Sequence, residues 1–354
     1  MTDPVADAVT AAVWTGGRDI EVRRLPVPDL APGEILVRID LATVCGSDRH
    51  TVAGRRTSPA PGILGHEGVG RVAALGVGGA TDLDGRSLQV GDRIVWSVVS
   101  ACDTCDRCLA GHTAKCRTLM KVGHEPLEGP WPLSGTYATH LVLPTAHAVV
   151  VVPATVSDAA ASIAGCALAT VCACLEAAGP IDGQVVLVSG LGALGICATA
   201  MASHSGTDTI IGIDPDPVRR ALALEFGATA AHPPGDAALD AIEPGTVIEL
   251  SGAATAVRAA IQMVAVGGTV VLAGSVAPAG DVAVDPERVV RNLTSIVGVH
   301  NYEPRHLRAA VDFLASGSGA SFDRLVDAPV GLGDLTSILH SEAGATGRAR
   351  VAPG

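Results

Sequence analysis

Residues 184 to 195 read Gln-Val-Val-Leu-Val-Ser-Gly-Leu-Gly-Ala-Leu-Gly. An aliphatic run enters a glycine turn, and an apolar helix, Ile196 to Ser203, leaves it. A strand that is apolar on both faces belongs inside a parallel sheet. The turn then has one reading at each position. Gly190 allows the tight bend, Gly192 lets the backbone approach a pyrophosphate, and Gly195 lets helix and strand close up. Ala193 and Leu194 sit where the helix N-terminus presents its positive end to that anion.

The flanking chain fits the same sheet. Strand Thr209 to Ile213 ends on Asp214, 19 residues past Gly195. Helix Pro217 to Phe226, strands Val247 to Leu250 and Thr269 to Leu272, and helix Ala256 to Val264 continue the alternation. That pattern is a doubly wound α/β sheet. A carboxylate at Asp214 accepts hydrogen bonds from ribose hydroxyls and repels a 2′-phosphate, so the expected dinucleotide is NAD and not NADP. Arg219 either reaches the adenosine ribose or is a solvated helix charge.

Before this sheet the chain reads differently. Short apolar runs at Val9 to Val13, Ile20 to Val22 and Ile35 to Ile39 are punctuated by Pro26-Val27-Pro28 and Ala31-Pro32-Gly33, a strand-and-turn composition. Asp158 to Gly179 is Ala-rich and helical. After about residue 295 the first pattern returns.

Two groups of soft ligands stand out. Cys102, Cys105, Cys108 and Cys116 lie at steps of three, three and eight residues. Four thiolates so spaced can wrap one tetrahedral Zn²⁺ and leave no coordination position open, which is a structural role. The second group begins at Cys45-Gly-Ser-Asp-Arg-His50 and continues at Gly65-His66-Glu67. A thiolate and an imidazole can supply two of the three protein ligands of a catalytic zinc. Ser47 can put a hydroxyl beside the metal, and His50 can pass its proton to solvent. Cys166 stands between the two halves of the chain and is the candidate third ligand. Cys172 and Cys174 read as core. A second Gly-His-Glu, at His124 and Glu125, lacks a preceding Cys-Gly-Ser-Asp; it either faces the substrate or is structural.

The net charge of −12 argues against nucleic acid or an anionic membrane as partner. Met1 to Asp7 lacks the basic start of a signal peptide, and no apolar run reaches the roughly 18 residues of a membrane span. The expected location is cytoplasmic, which also favours metal over disulfides for the four of nine cysteines crowded into Cys102 to Cys116.

Taken in order, Cys-Gly-Ser-Asp with His50, Gly-His-Glu, the four-cysteine lobe, Gly-Cys166-x-x-x-Thr and Gly-Leu-Gly-Ala-Leu-Gly resemble the zinc-dependent medium-chain alcohol dehydrogenases over nearly the whole chain. The resemblance implies a GroES-like β-rich catalytic domain over 1–154 with its zinc lobe at about 98–120, a Rossmann domain over 155–295, and a return to the first domain over 296–354. It implies Cys45, His66 and Cys166 as catalytic zinc ligands and Glu67 as a carboxylate that can swing onto the metal. Asp48 would hold the imidazole, and Ser47 and His50 would form a proton relay. Arg350 would meet the cofactor pyrophosphate, with Arg348 as the rival. The strand end around Gly274 would border the nicotinamide. Two zinc ions and one NAD per chain follow, acting on a small alcohol or carbonyl compound, and a homodimer or homotetramer is the usual assembly. Lys121 to Glu125 and Trp131 to Tyr137 are similar to a subgroup labelled phosphonate-catabolism-associated alcohol dehydrogenase. Arg55, Arg56, Lys121, His124 and His300 could border the cleft, and an anionic substrate would follow if several do. The other readings are an NADPH-dependent biosynthetic reductase and a catalytically silent binding protein on the same fold.

Overall fold

The computed structural model describes residues 8–277, 280–317, 322–341 and 348–353. Met1 to Asp7, read above for targeting, lie outside the described residues. Two β-systems divide the chain. In the first half, strands Ala8–Gly16 and Asp19–Pro26 form a hairpin that also pairs with Gly62–Ile63. A seven-stranded sheet is built around the antiparallel pair Ile35–Thr43 and Glu67–Leu75. The C-terminal strand Arg348–Val351 joins that sheet beside Ile35–Thr43, so the chain does return to its first lobe.

The second half is a six-stranded parallel sheet. Its order is Ala230–His232, Thr209–Ile213, Val185–Ser189, Thr246–Glu249, Thr269–Leu272, Ser295–Gly298. Chain order reverses between Val185–Ser189 and Thr246–Glu249, which opens a crevice at their carboxyl ends. The sixth strand spans residue 295, so the sheet runs a few residues beyond the boundary expected there. Ser295–Gly298 packs little: Ile296 is 38% exposed, unlike the fully buried Val186 and Val188.

The Ala-rich stretch folds as helix Asp158–Ser162, a π-turn Ala164–Leu168 and helix Ala169–Ala178. Together with helix Ala193–His204 it fills the seam between the two lobes. Small side chains allow this close approach. A Cβ on Gly165 would come within 2.5 Å of the Trp96 carbonyl oxygen in the other lobe. Among the described residues, no helix is long and apolar enough to cross a membrane.

Gly195 is the tightest point of the strand-to-helix junction. A Cβ there would lie 2.0 Å from the Gly190 carbonyl oxygen. Gly195→Ala is expected to lower the stability of the chain by about 1–3 kcal/mol through forced displacement of the turn. Chemical denaturation of the two proteins checks this, and an unchanged midpoint would refute it.

Candidate active site

Cys45 caps helix Gly46–Val52, and Asp48 in the first turn of that helix reaches back to it. The Asp48 carboxylate, fully buried, accepts from the Cys45 backbone N–H at 3.0 Å and from the Tyr137 hydroxyl at 2.8 Å. Its other oxygen lies 3.3 Å from His66 Nδ1. One carboxylate therefore sets the positions of a thiol and an imidazole that are 21 residues apart in sequence. With Nδ1 turned to Asp48, Nε2 is the His66 nitrogen left for a ligand.

Glu67, the next residue, is also fully buried. Its carboxylate accepts from the Thr43 hydroxyl at 2.8 Å and faces the Arg348 guanidinium at 2.9 Å. Burial pushes its pKa up to about 7 against the pull of that guanidinium. Cys166 arrives from the seam on the π-turn. Tyr302 donates its hydroxyl to the Gly165 carbonyl and accepts from the Val98 N–H at 3.2 Å, which pins that turn to both lobes. The ligand atoms of Cys45, His66, Glu67 and Cys166 all lie within 4.8 Å of one another.

Such a set fits a metal ion. Two thiols, an imidazole and a carboxylate are packed in a site where three of the four residues are buried. The soft sulfur and nitrogen donors suit zinc. The second cluster fits equally. Cys102, Cys105, Cys108 and Cys116 also bring their sulfurs within 4.8 Å of one another, with the Cys105–Cys108 and Cys102–Cys116 sulfurs each 3.5 Å apart. Tetrahedral zinc with Zn–S bonds near 2.3 Å calls for roughly 3.8 Å. This lobe is docked on the far half of the chain by Glu303, whose carboxylate accepts from the Thr113 N–H at 3.0 Å and the Ala114 N–H at 3.3 Å.

Both the first cluster and the glycine turn open into one cleft of about 330 Å³. Cys45, Ser47, His50, His66 and Cys166 line it, and so do Gly190, Gly192, Ala193, Leu194 and Gly195. Gly190 has φ +90°, which a side chain rarely tolerates, and a Cβ on Gly192 would project into open space. Gly274 lines the same cleft, where a Cβ would meet the Gly252 nitrogen at 2.4 Å. Buried Glu249 holds the neighbouring loop by accepting from the Ser251 and Gly252 N–H groups at 2.8 and 3.1 Å.

Three candidates sit differently from expectation. Arg348 lines the cleft and Arg350 does not. Both share a strand face, and only the register decides: Arg350 pairs with Thr43, while Arg348 lies two residues closer to the crevice. Asp214 is buried and does not line the cleft. Its oxygens accept from the Leu191 and Asp216 N–H groups at 2.8 and 2.9 Å, so it braces the glycine turn from behind. Arg219, 3.8 Å from Asp214, does line the cleft. Finally, Arg56, Lys121, His124 and His300 border the cleft, and Arg55 does not. The His124 ring stacks on His66 with centroids 5.8 Å apart, while Glu125 accepts from the Lys121 N–H at 2.7 Å. Burial, then the neighbouring His66 and Arg56, push His124 down to about 3, so it is neutral. Tyr302 and Thr43 carried no motif that marked them, and the bond from Tyr137 to Asp48 was not foreseen from the Trp131 to Tyr137 run.

Comparison with known proteins agrees with this arrangement. The family described as alcohol dehydrogenase GroES-like domain matches residues 31–154, and zinc-binding dehydrogenase matches residues 193–316. The 5-exo-hydroxycamphor dehydrogenase of Pseudomonas putida is 31% identical over 329 residues, 86% of this chain and 87% of its own length. The chain belongs to the zinc-dependent medium-chain dehydrogenase/reductase family. Two solved structures share the fold. An alcohol dehydrogenase from Thermotoga maritima has a TM-score of 0.91 at 24% identity, covering 98% of this chain and all (100%) of that one. A protein from Sinorhizobium meliloti described as a zinc-binding dehydrogenase, solved with NADP, has a TM-score of 0.88 at 25% identity, with coverage of 98% and 100%. Membership makes this protein an oxidoreductase of the dehydrogenase type, with zinc and a nicotinamide dinucleotide as its cofactors.

If the two clusters each hold one ion, metal analysis of the purified protein finds two zinc per chain. Cys102→Ser is then expected to bring the count to one and lower the melting temperature, and Cys166→Ala to bring it to one with little change in melting. A count of two in either variant would remove that cysteine from the ligand set.

Proposed function

We propose that this protein is a zinc- and NAD-dependent alcohol dehydrogenase, catalysing reversible oxidation of a small alcohol to its aldehyde or ketone. The observation that carries this reading is the shared cleft: the Cys45–His66–Cys166 group and the Gly190–Gly195 turn face one space. Cys45, His66 and Cys166 would hold the catalytic zinc, with Glu67 as a fourth donor within reach. Zinc there supplies a Lewis acid for the substrate oxygen, and the nicotinamide supplies the hydride acceptor.

The chain's own groups do the rest. Ser47 and His50 lie one turn apart on helix Gly46–Val52, so both face the cleft. Ser47 takes the hydroxyl proton and His50 passes it to water. Burial, then the charge of Arg55, holds the His50 pKa below the usual histidine value, so the ring is neutral and can accept that proton at pH 7. Arg348 supplies a positive charge for the pyrophosphate over Gly192. The tight seam excludes water from the reacting carbons.

NAD is preferred because the Asp214 carboxylate lies behind the glycine turn, where it disfavours a 2′-phosphate. The lining position of Arg219 favours the second reading, NADP, so the two cofactors are compared directly. The same proposal includes a homo-oligomer. It is supported by strand Ser295–Gly298, which ends its sheet among the described residues next to exposed Val290, Leu293 and Ile296.

Ser47→Ala is expected to lower turnover by roughly 10²- to 10⁴-fold, the range for lost acid–base assistance. Steady-state kinetics with NAD and a panel of alcohols checks it, and undiminished turnover would exclude Ser47 from the relay. A higher kcat/KM with NADP than with NAD would assign cofactor choice to Arg219 instead of Asp214. Light scattering that gave a monomer would overturn the oligomer.

A further inference from the structure

The cleft has a charge composition opposite to that of the chain. Asp and Glu outnumber Lys and Arg by 36 to 24. Yet the side chains lining the cleft include Arg49, Arg56, Lys121, Arg219 and Arg348 and, among the described residues, no carboxylate. Three of these five cations already have partners. Arg348 faces Glu67 at 2.9 Å, Arg219 lies 3.8 and 3.7 Å from Asp214 and Asp216, and Arg49 donates to the carbonyls of Ile338 and Ser341. Arg56 and Lys121 have no carboxylate partner among the described residues. The nearest acid in sequence, Glu125, accepts from a backbone N–H and does not line the cleft.

These two cations also stand apart from the dinucleotide. The phosphates belong at the Gly190–Gly195 turn, which Asp214 braces and Arg219 flanks. Lys121 is three residues before His124, whose ring lies against His66 on the metal side. Arg56 follows the helix that carries Ser47 and His50. His300 enters from the end of the sixth strand, and the Lys115 ammonium from the four-cysteine lobe bonds its Nδ1. Segments from both lobes therefore bring positive charge to one end of the cleft. The field is felt there: burial, then the charges of Arg56 and Lys115, pull Lys121 down to about 8. His300 is likewise held down to about 4 by burial, then by Lys115, Lys121 and Arg56.

We infer that Arg56 and Lys121 form an oxyanion subsite, so that the substrate is a short alcohol or carbonyl compound with a carboxylate or phosphate group at the end away from the reacting carbon. Two unpaired cations in a partly desolvated cleft hold an anion far better than they would in water. They also draw it in from solution against the negative field of the whole chain. A neutral substrate would leave both charges to be met by water and counter-ions alone.

This inference rests on the dehydrogenase reading for its reacting carbon, but its test does not. Isothermal calorimetry on the zinc-loaded protein at low ionic strength compares matched pairs: 3-hydroxypropanoate with propane-1,3-diol, and glycerol 3-phosphate with glycerol. At least one anion is expected to bind about tenfold or more tighter than its neutral partner, with the ratio shrinking as salt is added. The pair with the larger ratio tells carboxylate from phosphate. In the Arg56→Gln/Lys121→Gln double variant the ratio is expected to fall to about one, while Arg56→Lys keeps most of it. Both residues are partly exposed, and circular dichroism confirms folding; each single variant serves if the double variant misfolds. A ratio near one in the native protein, or an undiminished ratio in the variants, would overturn the subsite. Anion preference in calorimetry with neither NAD nor NADP reduced on any alcohol of the wider panel would sink the dehydrogenase reading and leave the subsite standing.

Discussion

The buried carboxylate of Asp48 is the contact on which the site depends. Removing a charge from water is costly unless several donors meet it. Here a backbone N–H, a tyrosine hydroxyl and an imidazole do so, and each belongs to a different part of the first lobe. That constraint locks the helix N-terminus to the strand that begins at Glu67. It presents the Cys45 sulfur and His66 to the same point without any contribution from the second lobe. The half-site is thus held by contacts of the first lobe alone.

Cys166 comes by a different physical route. It sits on a π-turn, where one extra residue per turn re-aims the side chains of a helix, and such turns are common at functional sites. The Tyr302 hydroxyl ties this turn to the other lobe, so the third ligand and the lobe interface are one structural element. Any opening of the seam would move Cys166 relative to His66. The arrangement couples the position of the metal site to that of the dinucleotide crevice, because the same helical stretch packs against helix Ala193–His204, which begins in the glycine turn.

Electrostatics then divide the cleft. Negative charges stay behind its wall, on Asp48, Glu67 and Asp214, each engaged by donors. Positive charges face the space itself. A wall with carboxylates behind and cations in front attracts anions at two places, the dinucleotide phosphates and the opposite end near Lys121. Glu67 and Arg348 are the point where both layers touch, one residue from the His66 imidazole.

Much of this was legible in the amino-acid sequence, for a simple reason. Ligand spacing inside one loop, such as Cys102 to Cys116, and a glycine turn between a strand and a helix are local patterns, so they survive without knowledge of distant contacts. The fold class, the two cysteine groups and the glycine turn were therefore readable from residues alone. Choices that depend on register or burial were not. Arg348 and Arg350 share a strand face, and only pairing with Ile35–Thr43 shows which one reaches the crevice. Asp214 reads as a ligand for ribose; that its oxygens also accept from the Leu191 and Asp216 N–H groups follows from the second strand ending directly beneath the turn, which only the fold shows. Tyr302 and Thr43 carry no local signature, since their roles come from segments tens of residues away folding against them.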